Sequence, residues 1–163
     1  MSVATPSAPR APDLIDPVIG YRHWRLRDGV LCSPFKDYAW GRGVNAARCA
    51  HGAGHAEPAP GHDCECGLHA WYRPCPRLGY ATPDLVGGAV ALWGDVELHP
   101  TGMRAQYAAI IALVLPLSRT AKRRRVIDVA DALEVDAVSA RDLKRVALQH
   151  AVAIPPSMAP RPG

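Results

Sequence analysis

The chain has 163 residues and a mass of 17.5 kDa, with 48% hydrophobic and 21% charged residues; this globular balance excludes full disorder, and the length suits one domain rather than a large two-domain enzyme. Sixteen prolines and fourteen glycines demand many turns, and a net charge of +4, carried mostly by arginine, permits an anionic partner without requiring one. The longest apolar run, residues 108–115, is far below the ~20 residues that span a bilayer, and residues 1–12 hold Pro6, Pro9 and Pro12 but no apolar signal-peptide stretch, so a cytoplasmic protein with no membrane segment is expected.

Residues 1–17 are Pro/Ala-rich and aperiodic, which predicts a disordered N-terminal tail. Residues 18–27 alternate, with Arg22, Trp24 and Leu26 on one face and Tyr21, His23, Arg25 and Arg27 on the other. Asp28-Gly29 follows, a strong hairpin signal, and residues 30–33 read as the returning strand, in which Cys32 is a small buried hydrophobe. Residues 34–67 carry little periodicity and read as a long Gly/Pro loop, which a compact domain tolerates only if something holds it. Residues 68–72 read as a short strand ended by Pro74.

Residues 86–99 alternate again: Val90, Leu92, Val96 and Leu98 point one way, and Ala91, Trp93, Asp95 and Glu97 the other. Gly94 interrupts the pattern and marks a bulge. Pro100 to Gly102 form a turn, and pairing of 89–99 with 103–111 makes a second hairpin, although the alanines of 103–115 also suit a helix. The basic run Lys122-Arg123-Arg124-Arg125 reads as a solvated linker into a helix whose apolar face is Val126, Val129, Ala130 and Leu133. Ser139-Ala-Arg-Asp142 resembles a capping box with Asp in place of Glu. Leu143, Val146, Ala147 and His150 continue helical spacing until Pro155 and Pro156 end it. Residues 154–163 read as a flexible tail, which leaves a single domain over 18–153.

Cys49, His51, His55, His62, Cys64, Cys66 and His69 place seven soft or borderline donors within 21 residues. In a reducing compartment such clustering argues for a metal rather than disulfides. Zinc takes four such donors tetrahedrally. Cys64-x-Cys66 supplies two from one knuckle of chain, and Cys49 is the thiolate on the earlier side of the loop. His55 or His51 completes the set. His55 is preferred because Gly52-Ala-Gly54 lets the chain curl back, with His62 a further alternative. Cys49, His55, Cys64 and Cys66 close an 18-residue loop, and four protein ligands leave no position for water, so the zinc is structural.

The order Gly20-Tyr21-Arg22-x-Trp24-Arg25, Trp40, Cys49, His55-x-x-Pro58, Cys64-x-Cys66-Gly67-x-x-Ala70 and Ala91-Leu92-Trp93-Gly94-x-Val96-x-x-His99-x-x-Gly102-x-Arg104-Ala105-x-Tyr107-Ala108 resembles a group of small actinobacterial and phage proteins with no established activity. The resemblance covers about residues 18–150. It implies Cys49, His55, Cys64 and Cys66 as the recurring ligand set and a β-hairpin rather than a helix over 94–108, and it points to no particular reaction.

Other signals point to competing readings. Arg123, Arg124 and Arg125 suit phosphate contact, and residues 129–143 resemble a helix-turn-helix. Against the latter, Glu134 stands where the turn usually has glycine, so a helix, a short strand or turn over 135–138, and a second helix is the better reading. The face with Tyr21, His23, Arg25 and Arg27 suits single-stranded nucleic acid or mere edge protection. His99 with Arg104 across the turn suits a pocket. No nucleotide-binding glycine loop, serine elbow or zinc-protease helix occurs. The sequence therefore predicts an α+β domain: a small antiparallel sheet or half-barrel, a zinc-stapled loop and two C-terminal helices. Its predicted role is a non-enzymatic binding or adaptor module for a protein partner. A DNA-binding regulator using 122–149 is the first alternative and a zinc-dependent hydrolase the second.

Overall fold

The computed structural model describes residues 16–49, 58–61, 63–74, 83–117 and 120–163. Among these the chain forms eight strands and two helices: β1 (Val18–Arg27), β2 (Val30–Cys32), β3 (Ala39–Trp40), β4 (Val44–Ala46), β5 (Leu68–Trp71), β6 (Leu85–Leu98), β7 (Gly102–Val114), α1 (Ala121–Leu133), β8 (Asp136–Val138) and α2 (Leu143–Ala147). Both expected hairpins are present. Asp28 and Gly29 take positive φ values of 48° and 77°, the paired left-handed conformation that a two-residue turn with the twist of its strands requires. The 103–115 ambiguity resolves as strand β7.

The sheet is antiparallel apart from β8, which runs parallel to β7. Strand β6 pairs with β1 on one side and with β7 on the other. The far edge of β7 carries β5, β4 and β8 in succession, opposite Gly102 to Ala105, Tyr107 to Ala109 and Ala112 to Val114. The single ladder pair Tyr21↔Trp71 joins β5 to β1, so β1, β6, β7 and β5 form a ring rather than an open half-barrel. Two register shifts in β6 bend it for this closure. One lies at Gly94, with φ of 79°, where a Cβ would come within 2.7 Å of Gln106 Oε1 and 2.8 Å of Tyr107 Cδ2.

Alternation along β1 and β6 feeds two apolar clusters. Trp24, Leu31, Leu92, Leu98 and Leu113 belong to the larger one, and α1 adds Val126, Val129 and Ala130. Ile19, Tyr21, Ala89, Ala91 and Ile111 belong to the other, against Leu143, Val146 and Ala147 of α2. The central strands are thus buried on both faces. The alanines on the second face leave room for a helix to lie close.

Three expectations are corrected. Residues 34–67 are not wholly irregular, for they contain β3 and β4, too short to show a period. The basic run is no linker: it forms the start of α1, behind the Thr120 cap. There Arg123 Nη1 donates to Pro116 O at 2.8 Å and Arg125 Nη2 to Leu26 O at 3.1 Å. The second C-terminal helix stops at Ala147 instead of running on through His150, because Gln149 and His150 donate to carbonyls three residues back and tighten the chain into a turn. Ser139 and Asp142 do bond reciprocally ahead of that helix. Beyond it Val18 bridges to Val152, and Ile154 and Met158 pack against the larger core.

Candidate metal centre and adjoining cleft

The ladders of β7 bring the cysteines together. β4 ends opposite Tyr107 and β5 begins opposite Ala105, so the chain between them leaves and re-enters the sheet at adjacent points of one edge. Cys49 lies three residues beyond β4, and Cys64 and Cys66 lie just before β5. Gly67, with φ of 128°, turns the chain from knuckle into strand. The Sγ atoms of Cys49, Cys64 and Cys66 all lie within 4.8 Å of one another, close enough to hold a metal ion. Cys49 Sγ and Cys64 Sγ are 3.5 Å apart. Two thiolates on one tetrahedral ion with bonds of about 2.3 Å stand roughly 3.8 Å apart. Cys66 is buried and accepts a hydrogen bond from Gly61 N at 3.2 Å. Burial, and then the neighbouring sulfurs Cys64 and Cys49, push its thiol up from the ordinary range, a bias that a bound cation reverses.

Arg104 ties this knuckle to the barrel. Its Nη1 donates to Cys64 O and, at 3.1 Å, to Cys66 O; its Nη2 donates to Gly61 O at 3.2 Å. Nη2 also meets Glu97 Oε1 at 3.0 Å and Oε2 at 2.8 Å. Both side chains are buried. Glu97 Oε1 is also 3.0 Å from His99 Nε2. Arg104 thus satisfies three carbonyls of the knuckle. Glu97, which alternation places on a face away from the core, balances its charge from the facing position on β6.

A cleft of about 1190 Å³ adjoins the knuckle, lined by β1, the segment after β2, β5 and the β6–β7 turn. Beside Arg104, at 6% exposure, Arg22 at 9% is the second buried cation of its lining. Its guanidinium lies 4.2 Å from the Trp40 ring centroid and 5.5 Å from that of Trp24. It donates to His69 O at 2.9 Å and Ser33 Oγ at 3.4 Å. The first of these bonds reinforces the closure of β1 on β5. Burial pulls its pKa down to about 9, so the group stays charged at neutral pH.

The predicted donors His51, His55 and His62 lie outside the described residues. His69 is not part of the sulfur cluster; its Nε2 donates to Glu65 O at 2.9 Å. Cys32 is half-buried at the end of β2, not a core residue. The face proposed for single strands is not a surface, since Tyr21 and His23 are buried. Strand β8 joins the sheet between α1 and α2, so the two helices are not linked by the tight turn of a helix-turn-helix. Glu134, at the expected turn position, caps α1 with φ of 56°. No helix among the described residues is long and apolar enough to cross a membrane. His99 and Arg104 do line one cleft, as their placement across the turn suggested. Arg22 and Glu97 were not singled out; the cross-strand pair Glu97–Arg104 of opposite charges is the signal that would have found the second. Comparison with family models, curated proteins and solved structures finds no match.

Proposed function

We propose that this protein is a non-enzymatic binding module whose cleft is shaped by a metal-stapled knuckle. One structural zinc ion is held by Cys49, Cys64 and Cys66, with His55 as the fourth ligand. The observation that carries this reading is the convergence of three thiols from two chain segments within 4.8 Å. Thiolate-rich sets suit zinc. A loop so poor in large apolar side chains gains from an ion what it cannot gain from a core, so metal binding and folding of the knuckle are one process. A closed shell of four protein ligands supplies order rather than a reacting water.

The test is elemental analysis of the purified wild type beside Cys64→Ser, with X-ray absorption on the wild type. One zinc per chain, a three-sulfur, one-nitrogen shell, and loss of both metal and thermal stability in the variant are expected. A wild type that contains no metal and melts identically with and without chelator removes the reading.

A further inference from the structure

The cleft beside the knuckle carries uncompensated positive charge. Of the cations that line it, Arg104 is matched by Glu97. Arg22, Lys36 and Arg48 have no carboxylate within ion-pair distance among the described residues. Among the described residues, Lys36 Nζ donates to a carbonyl, Glu65 O, at 3.3 Å. The acidic side chains Asp63 and Glu65 also line the cleft; like Lys36 and Arg48 they are exposed, so water and salt screen all four, and Arg22 is the buried charge left without a carboxylate partner among the described residues.

Arg22 differs in kind from its neighbours. It is 9% exposed, and its two hydrogen bonds leave most of its five N–H donors unused. Its Nε is buried with no partner. A guanidinium packed over an indole ring and braced by a backbone carbonyl has lost its side-chain freedom in advance, which lowers the entropic cost of gripping a ligand. Burying a cation without a counter-ion is costly, and a cleft open to solvent beside it lets an anion bind there. Apolar surface is present as well: Phe35 is 95% exposed and Trp71 38% exposed, and both line the same cleft.

We infer that the cleft binds a small organic anion, with its carboxylate or phosphate group held at Arg22 and Lys36 and its apolar body against Phe35. This names the ligand class for the binding-module reading and rests on it. The full chain, with its zinc content measured, is titrated calorimetrically at low salt with benzoate, phenyl phosphate and neutral benzyl alcohol. Saturable binding of at least one anion and none of the alcohol is expected, and the preferred anion separates a carboxylate from a phosphate ligand. Losing a charge-assisted bond costs about tenfold in affinity for Arg22→Gln, whereas removing the exposed Lys36 costs about threefold for Lys36→Gln. Lys36→Gln leaves the core intact and so tests the site even if Arg22→Gln fails to fold. Binding of neither anion in the millimolar range, or a Lys36→Gln affinity equal to wild type, overturns the inference. A zinc-free chain that binds an anion leaves it standing and removes the metal; a zinc-loaded chain that binds neither does the reverse.

Discussion

At the scale of single residues, burial sets the behaviour of His23, and the adjacent charge of Arg22 adds to it. His23 is buried at 6% exposure, its ring edge-on to Trp71 at 5.5 Å between centroids, and its Nδ1 has no partner. Burial first, and then the adjacent Arg22 charge, lower its pKa from the ordinary value of 6.5. His69 is lowered too, by burial above all. A histidine kept neutral by the fold takes up its proton later than the same histidine in the unfolded chain. As the pH falls through the unfolded value, the unfolded state therefore gains protons that the folded state refuses, and stability falls. Urea unfolding midpoints measured at about pH 7.5 and about pH 5.5 are expected to drop toward the acid side, with a smaller drop in His23→Gln. A variant as pH-sensitive as the wild type would contradict this account of His23.

Between elements, one guanidinium does what a ladder does elsewhere. Arg104 belongs to β7, yet its acceptors are Gly61 O, Cys64 O and Cys66 O on the knuckle and the Glu97 carboxylate on β6. Arg104→Met strands a buried carboxylate and three carbonyls together. Breaking one side of a buried ion pair costs about 3–5 kcal/mol, and loss of such outer support weakens a metal site by about 10–100-fold. Chemical denaturation and metal competition of Arg104→Met against Glu97→Gln check both figures; a variant as stable as wild type would show that the pair is dispensable. This contact also marks where sequence reading ran out. The Asp28-Gly29 turn, the long hairpin and the Gly94 bulge were legible because local rules govern them: left-handed φ, period-two burial, a missing Cβ. The meeting of Cys49, Cys64 and Cys66 was legible from donor chemistry and spacing. The two- and three-residue strands β3 and β4 were not, since so few residues have no period. The role of Arg104 was hidden because its acceptors are backbone carbonyls some 40 residues away, a position set by the register of β4 and β5 on β7.

For the molecule as a whole, the closure of the ring is its weakest seam. The ladder between β1 and β6 runs through eight pairs, whereas β5 meets β1 at one pair and β7 at four. Strand β5 follows directly on Cys66 and Gly67, so whatever orders the knuckle also anchors the strand that closes the barrel. Opening of β5 breaks short ladders and uncovers Leu68 and Ala70 of the larger cluster alone, while opening β1 from β6 breaks both apolar clusters. The two events therefore differ widely in free energy. A metal bound only when the knuckle is formed stabilises the closed seam by mass action and leaves the β1–β6 ladder almost untouched. Hydrogen exchange before and after chelation is expected to accelerate by at least about tenfold at the amides of Leu68 to Trp71, with those of Val86 to Leu92 unchanged. Uniform acceleration through both regions would mean that the knuckle and the barrel unfold as one unit, and no acceleration anywhere would mean that the seam needs no ion to stay shut.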